Sequence, residues 1–234
     1  MSESSATVDE LHDRLAAFDS EVARYGPRSV PASLRRDHVL TAATVAFVAD
    51  GFEGASMQRI AERAGVTKPV VYSLFGSKAE LFAAVIDRES DDMAVRIGLA
   101  IADEGESNLR AGIRAYLHYV RDHNELWGPI LASTHHEPVG RAALRLQARQ
   151  VELIAASIRR GYDELGISAD AREVEALARL VMGAVSSVAD WWRDHPELTL
   201  DDIADLLDAG LGPSLDSIRA GRSAAAVFEG DRRE

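Results

Sequence analysis

The sequence predicts an all-α protein in which a three-helix helix-turn-helix domain precedes a larger helical domain. Apolar residues recur at intervals of three and four in every long segment, which is the spacing of one helix face. No segment shows the strict apolar–polar alternation of a half-buried strand. Two short helical patterns flank a tight turn within residues 56–82, and this arrangement predicts the helix-turn-helix.

Residues 8–24 are predicted to form an extra amphipathic helix that ends at Gly26-Pro27. Its apolar stripe is Val8, Leu11, Leu15, Phe18 and Val22. Two heptads are too short for an independent coiled coil, so we expect the stripe to pack on the protein's own body or on a dimer partner. The alternative is an arm that touches DNA, which the net charge of −3 over residues 1–30 disfavours, with 3 arginines against 6 acidic residues.

The first helix of the helix-turn-helix domain is expected from Leu34 to Asp50. Gly51 should end it, with Phe52 folding back as the apolar partner of the helix end. Arg36, near the start of this helix, is a candidate phosphate contact.

The helix-turn-helix itself has a physical reason at each position. Ser56 and Thr67 are good N-cap residues for its two helices, and Gly65 allows the tight turn between them. Pro69 falls in the first turn of the second helix, where its missing N–H is harmless. The inward residues of the two helices should be Ile60, Ala61, Ala64, Val71 and Phe75, and the outward ones Lys68, Val70, Tyr72 and Ser73.

A further helix is expected to open at Ser77-Lys78-Ala79-Glu80, which has the pattern of a capping box. Its unpaired N–H groups beside Lys78 would form a phosphate site. Lys68 and Lys78 are the only lysines in the chain, whose other 24 cationic residues are arginines. Their shared position indicates a surface for an anion, and DNA is the anion that fits a helix-turn-helix.

The run AERAGVTKPVVYSLFGSKAELF, from Ala61 to Phe82, resembles the DNA-binding domain of the tetracycline-repressor (TetR) family. The similarity includes the Ala-Gly-Val turn, the Tyr-x-x-Phe of the second helix and the Ser-Lys opening of the next helix. It extends over about residues 34–87, including Gly51-Phe52. One departure is Leu74, where many members carry a histidine or another polar residue that reaches the DNA backbone.

The resemblance implies a ligand-responsive bacterial repressor that binds palindromic operator DNA as a homodimer and is released by a small, largely apolar effector. It also implies a C-terminal domain for ligand binding and dimerisation. The residues expected to contact DNA are Arg36, Ser56, Thr67, Lys68, Pro69, Val70, Tyr72, Ser73 and Lys78. The domains are expected at residues 1–30 for the extra helix, 31–80 for DNA binding, 81–222 for ligand binding and dimerisation, and 223–234 for a flexible tail.

The net charge of −12 is unevenly distributed. Residues 31–90 contain 7 cationic and 7 acidic residues, whereas residues 91–234 contain 16 and 25. A neutral helix-turn-helix domain should bind random DNA weakly, because non-specific affinity comes mainly from phosphate neutralisation. The acidity also has a simpler interpretation, which is that it keeps the protein soluble.

Amphipathic patterns predict six helices after the turn: 77 to beyond 96 with a break at 103–106, then 107–122, 125–133, 139–165, 174–192 and 200–218. The stripe expected to face inward on the helix of 139–165 is Leu144, Val151, Ile154, Ile158 and Leu165. The segment 174–192 is apolar nearly all round, so it needs cover on more than one side. We therefore expect the last two helices to form half of a symmetric four-helix dimer interface, as the resemblance also implies. Its predicted residues are Val181, Val188, Ile203, Leu207, Leu211 and Leu215.

An effector cavity is expected inside the C-terminal helices, as is usual for helical bundles. Its predicted lining is Met93, Tyr116, Trp127, Ile130, Gln147, Val151 and Met182. The aromatic members have an alternative role as ordinary core residues. Gln147 either orients a polar group of the ligand or lies at the solvent edge of its helix.

Several classes of function find no support in the sequence. The absence of cysteine excludes disulfides and thiolate chemistry. There is no Glu-x-x-His pair, Gly-rich phosphate loop or G-x-S-x-G motif, so we expect no enzyme, no cofactor and no metal. His135-His136-Glu137 is interpreted as a loop rather than a metal cluster. No apolar run of about 20 residues or signal segment occurs, which predicts a cytoplasmic protein without a membrane partner. The alternative function is a helical lipid or small-molecule binding module with a non-DNA role.

Overall fold

The computed structural model describes residues 4–25, 29–102, 108–123, 137–164, 166 and 170–219. All regular secondary structure within these residues is helical, which confirms the predicted all-α class. In chain order the helices are α1 (Ser4–Val22), α2 (Ala32–Gly54), α3 (Met57–Arg63), α4 (Lys68–Phe75), α5 (Lys78–Ala102), α6 (Asn108–Asp122), α7 (Glu137–Glu164), α8 (Ala171–Trp192) and α9 (Leu200–Arg219). The helix expected at 125–133 and the tail at 223–234 lie outside the described residues.

The chain divides into two compact units. The head unit comprises residues 1–91 and 122–146, and the body unit comprises residues 92–121 and 147–234. Helices α5 and α7 are each continuous and each supply residues to both units.

The core of the head unit forms around the end of α2. Gly51 has φ 67° and ψ 175°, which interrupts the helix and turns the chain. Phe52 then folds back and is buried, with its ring centroid 6.1 Å from that of Phe47 and 5.2 Å from that of Phe82. Only glycine adopts this backbone conformation readily, so the predicted break at Gly51 follows directly from the residue type.

Helix α1 packs along α2 within the head unit. Leu11 and Leu15 are buried, and the Phe18 ring stacks on His38 with centroids 6.0 Å apart. The Nε2 atom of His38 lies 2.8 Å from Oδ1 of Asp19. The part of the apolar stripe from Leu11 to Phe18 is therefore covered by the protein's own chain, which agrees with the first of the two sequence-based alternatives.

A polar cluster joins α5 to α2. The guanidinium of Arg88 donates hydrogen bonds to Oγ1 of Thr41 at 3.0 Å and to Oγ1 of Thr44 at 2.6 Å. Each threonine hydroxyl in turn donates to the carbonyl four residues earlier on α2, at 3.0 Å. Each hydroxyl thus accepts a hydrogen bond from α5 and donates one within α2, so both threonine hydroxyls have partners.

In the body unit, α6, α7, α8 and α9 share one apolar core. Arg110 of α6 pairs with Asp205 of α9, and Arg114 pairs with Asp201, so these two acidic side chains of α9 meet cations of the same chain. Helix α9 opens with a reciprocal cap, since Asp202 Oδ2 accepts from Thr199 N at 2.8 Å and Thr199 Oγ1 accepts from Asp202 N at 3.2 Å.

Within the described residues, no single helix has the length and apolar content needed to cross a membrane. Helices α4 and α5 meet the criterion only as a pair, and that pair is bent by 64°.

Candidate DNA-binding surface and ligand cavity

The turn between α3 and α4 has the geometry that its residues predict. Gly65 has φ 61°, and the amide of Val66 donates to Ala61 O at 2.9 Å, which closes the turn. Ser56 and Thr67 occupy the N-cap positions of the two helices in extended conformations. Neither side chain makes a capping hydrogen bond, so the hydroxyls do not have the role expected from the sequence.

The faces of α4 are divided as expected. Val71 and Phe75 are buried, whereas Lys68, Pro69 and Ser73 are exposed and Val70 is half-buried. Tyr72 is 43% exposed, and Nζ of Lys68 lies 5.9 Å from its ring centroid. The outward side chains form a projecting ridge that has one cation and three aliphatic or ring surfaces. The ridge comprises Thr67, Lys68, Pro69, Val70, Tyr72 and Ser73. Such a ridge matches the major groove, where lysine donates to guanine O6 and N7 and apolar groups contact the thymine methyl.

Lys78 is engaged with the chain itself. Its Nζ donates to Glu53 O at 3.1 Å and to Ala55 O at 3.4 Å, and lies 4.7 Å from the ring centroid of Phe52. Lys78 thus joins the start of α5 to the end of α2 and to Ala55, which follows it. The predicted capping box at this helix start is half present, because Ser77 Oγ accepts from Glu80 N at 3.1 Å.

Arg36 is engaged in a similar way. Its NH1 atom donates to Leu74 O at 3.2 Å, and its guanidinium lies 4.4 Å from the ring centroid of Phe75. Both acceptors belong to the last turn of α4, where the helix dipole favours a cation. Arg36 therefore stabilises the end of the helix that carries the ridge. The contact spans 38 positions in the sequence, so no local pattern could have revealed it.

The body unit contains a cavity of about 100 Å³. A single water needs about 10–15 Å³ on a comparable scale, so the cavity has room for several heavy atoms. The lining residues come from four helices: Ile97 and Ile101 of α5, Leu109, Gly112, Ile113 and Tyr116 of α6, Gln150, Leu153, Ile154, Ser157, Ile158 and Gly161 of α7, and Val181, Met182 and Val185 of α8.

The structure places only some of the predicted cavity residues in the cavity wall. Tyr116 and Met182 line the cavity, and Met93 and Val151 are buried without being part of its lining. Trp127 and Ile130 lie outside the described residues.

The prediction for Gln147 needs correction, because this residue is exposed and is not among the lining residues. The amide in the wall belongs to Gln150, one turn later on α7, which is buried. Its Nε2 atom donates to Sδ of Met93 at 3.0 Å. The physical reason is helix rotation, since the inward face of α7 runs through Leu146 and Gln150, and Leu144, expected to be inward, is 66% exposed.

Tyr116 contributes an uncharged polar group to the cavity. Burial, together with the negative charge of Asp190, raises the pKa of its phenol to about 12, and Arg193 acts in the opposite direction. Asp190 and Arg193 form an ion pair with each other. The phenol therefore stays protonated at neutral pH and is able to donate a hydrogen bond.

The predicted dimer residues also need correction. Val181, Ile203, Leu207 and Leu211 are buried in the core of their own body unit, and Val188 packs against it. Side chains covered by their own chain have little surface left for a partner. The side chain of Leu215 lies outside the described parts.

The exposed apolar side chains of α8 and α9 are different ones. Leu180 and Leu206 are each 56% exposed and Trp191 is 46% exposed. Leu180 and Trp191 were missed because α8 is apolar nearly all round, so its pattern alone does not say which face is internal. Leu206 shares the apolar stripe of α9 with Leu207, and the pattern does not say which of these neighbours the protein's own core covers.

Among the described residues, no group of three or more histidine, cysteine, aspartate or glutamate side chains is arranged to hold a metal ion. His135 and His136 lie outside these residues.

Two family models match the chain. The model described as bacterial regulatory proteins of the tetR family matches residues 39–85. The model described as a tetracyclin repressor-like C-terminal domain matches residues 102–209. The first match contains the α3–turn–α4 ridge, and the second contains most of the cavity.

Individual relatives agree with the models. The HTH-type transcriptional activator FasR of Mycolicibacterium smegmatis is 40% identical over 93 residues, which are 39% of this chain and 42% of that protein. The HTH-type transcriptional repressor SCO4008 of Streptomyces coelicolor is 36% identical over 59 residues, which are 25% of this chain and 31% of that protein. The matched segment thus spans less than half of the length of either relative.

A solved structure extends the similarity over most of the chain. The crystal structure of a TetR-like transcriptional regulator from Rhodococcus sp. RHA1 is 30% identical and has a TM-score of 0.55. The match covers 80% of this chain and 98% of that one.

Proposed function

This chain belongs to the TetR family of bacterial transcriptional regulators, and we propose that it represses transcription as a homodimer on a palindromic operator. We further propose that a small, largely apolar effector binds the body-unit cavity and releases the DNA. The exposed ridge of α4, with Lys68 beside Tyr72 and Ser73, is the observation that carries the proposal.

The chemistry of each side chain on the ridge indicates which part of the DNA it would contact. Lys68, Val70 and Ser73 would meet base edges in the major groove, and the hydroxyls of Thr67 and Tyr72 would donate to phosphates. Arg36 and Lys78, which hold the ends of α4 and α2, would keep the ridge in place. They would add phosphate contacts only if DNA offers a better acceptor than the carbonyls they now bind.

Dimerisation is supported by the outward apolar side chains of the last two helices. Leu180, Trp191 and Leu206 are large, exposed and located on α8 and α9. Symmetric pairing of these faces would bury them and would place two ridges on one DNA duplex. Half-sites would then lie about 34–36 Å apart, or a multiple of this, because each turn of DNA presents the same groove again.

Repression is proposed because blocking a promoter needs only occupancy of the DNA. The two curated relatives differ here, since one is named an activator and the other a repressor. A reporter gene placed behind the selected operator would distinguish the two directions by the sign of the response.

Release by the effector is supported by the apolar cavity and by α5, a single helix that carries residues of both the DNA-binding surface and the cavity. Helix α5 carries Lys78 at its start and Ile97 and Ile101 of the cavity lining near its end. A ligand shifts the protein between DNA-bound and released states only through a difference in its affinity for the two. We infer that the effector prefers a cavity shape incompatible with DNA binding. A regulator of this kind would act in the cytoplasm and without catalysing a reaction.

The test is selection of DNA from a random pool by the full chain, followed by a binding assay with the enriched sequence. The expected product is a palindrome bound as a dimer in light scattering. Tyr72→Ala combined with Lys68→Ala should abolish the enrichment, while Gln147→Ala, an exposed change on α7, should not. Failure to enrich any sequence would favour the alternative, a helical small-molecule binding module with a non-DNA role.

A further inference from the structure

We propose that the body-unit cavity selects an uncharged, mostly apolar ligand with one hydrogen-bond acceptor, and that the amide of Gln150 binds this acceptor. The inference rests on the proposed function in that it specifies the effector of the same regulator. It concerns the ligand class and one recognition residue, which the family assignment leaves open.

The uncharged character of the described wall determines the ligand class. Among the described residues that line the cavity, none is acidic, basic or histidine, and most are aliphatic. A carboxylate or an ammonium group that entered this cavity would lose its hydration without gaining an opposite charge, which is strongly unfavourable. The nearby Asp190 and Arg193 pair with each other, so they offer no net charge to a ligand. An uncharged ligand avoids this loss.

Three polar side chains in the wall restrict the ligand further. These are the phenol of Tyr116, the amide of Gln150 and the hydroxyl of Ser157. Gln150 is the most buried of the three, so leaving its amide without a good partner is the most costly. A ligand with a single oxygen acceptor would satisfy it, whereas a pure hydrocarbon would not.

The Gln150 amide now donates to a weak acceptor, so a ligand oxygen would replace that acceptor favourably. Its Nε2 donates to the thioether sulfur of Met93 at 3.0 Å, and a thioether is a weak acceptor. A ligand carbonyl, ether or hydroxyl oxygen is a stronger acceptor and would replace the sulfur. Met93 belongs to α5, so binding of the ligand oxygen would remove one link between α7 and α5. The recognition of the ligand and the release of α5 would then be a single event.

The ligand class is tested with three probes that share an eight-carbon chain: 1-octanol, octanoate and octylammonium. Calorimetric titration of the full chain at pH 7.5 should give measurable binding of 1-octanol and at least tenfold weaker binding of both ions. Thermal unfolding should show the same order, because a ligand that binds the folded state stabilises it. Octanoate or octylammonium binding as tightly as 1-octanol would overturn the proposal.

The role of Gln150 is tested by comparing 1-octanol with 1-chlorooctane, which lacks a good acceptor. The wild type should prefer the alcohol, and Gln150→Met should reduce this preference by about threefold to tenfold, the usual range for one hydrogen bond. Gln147→Met, an exposed change on the same helix, should leave the preference unaltered. An unchanged preference in Gln150→Met would overturn the assignment of Gln150.

A second variant covers the case in which Gln150→Met does not fold. Ser157→Leu adds volume to the wall and should weaken 1-octanol by at least tenfold. Undiminished binding in this variant would place the alcohol outside the cavity and overturn the proposal.

The DNA assay separates this inference from the proposed function. If the chain enriches an operator but does not bind 1-octanol, the ligand class is wrong and the regulator stands. If it binds 1-octanol through Gln150 but enriches no DNA, the ligand class stands and the regulator is wrong.

Discussion

Replacing Lys78 should affect both the stability of the head unit and DNA binding, and the two effects are separable. The structure places its Nζ against Glu53 O and Ala55 O and near the Phe52 ring. Lys78→Ala removes all three contacts. Lys78→Met keeps the apolar stem and removes only the charge and the hydrogen bonds.

The magnitude follows from these contacts. A hydrogen bond to a charged group contributes about 1.5–3 kcal/mol when buried, and a cation–ring contact about 0.5–1 kcal/mol at an exposed site. Because Lys78 is only half-buried, the two carbonyl contacts should together contribute near the lower limit. We therefore expect Lys78→Ala to destabilise the head unit by about 2 kcal/mol, and Lys78→Met by slightly less because its stem still covers Phe52. For a chain of this size, this is a decrease of roughly 4–8 °C in Tm.

The assay combines urea unfolding with DNA binding at several salt concentrations. Lys68→Ala is the control for stability, since Lys68 is exposed and should change the free energy of unfolding by less than about 0.5 kcal/mol. If Lys78 also reaches a phosphate in the complex, its removal should lower the magnitude of the salt slope by about 0.9. Unfolding of Lys78→Ala at the wild-type urea concentration would refute the stabilising role, and unchanged affinity at physiological salt would refute any part in DNA docking.

Four other perturbations test separate parts of the molecule. Lys68→Ala should cost about 1–3 kcal/mol of DNA affinity and relax preference at one base per half-site, whereas a uniform loss at every position in a mutated-operator panel would make it a phosphate contact. Leu206→Glu should split the dimer in light scattering while the monomer keeps its helical circular dichroism, and a persistent dimer would place the interface elsewhere. Leu207→Glu should instead unfold the body unit, since its side chain is buried in that core, so normal folding would contradict the structure. For Tyr116, the raised pKa means that folding favours the protonated phenol. The contribution of this preference to the free energy of unfolding is complete below pH 10 and declines as pH rises toward about 12. The wild type should therefore lose about 1.4 kcal/mol more than Tyr116→Phe between pH 9 and pH 11 in urea unfolding, and equal losses would show that the phenol is not buried in this way.

The boundaries of the helices were largely predictable because their signals are local. Gly51 and Gly65 both have positive φ, which is the property that made them helix ends in the sequence. Val71 and Phe75 are both buried, as their one-turn spacing indicated. These features depend on residues within one or two turns of each other, and sequence patterns contain that information.

The cavity was only partly predictable because the orientation of α7 depends on its neighbours. A stripe through Leu144 and Val151 made Gln147 the amide nearest the interior. The actual inward face includes Leu146 and Gln150, whereas Leu144 is 66% exposed. A helix with apolar residues on several faces admits both orientations, and only packing against α5 and α6 chooses between them.

The roles of the cations were not predictable for a different reason. Arg36 and Lys78 were expected to meet phosphates, since a cation near a helix-turn-helix favours that interpretation. The structure shows that their nearest acceptors are backbone carbonyls 38 and 25 positions away in the sequence. Carbonyl groups occur at every residue, so composition gives no sign of which ones a long side chain reaches.

The packing of α1 along α2 has a practical consequence for shortened versions of this protein. The matched family model starts at residue 39, which suggests a natural place to cut. A cut there would begin inside α2, remove the Phe18 and Asp19 contacts of the first helix, and discard Arg36 with its bond to Leu74 O. The remaining fragment would keep every residue of the ridge but would lose the Arg36 contact that stabilises the last turn of α4. Fusion proteins or isolated DNA-binding fragments should therefore retain the chain from α1 onward.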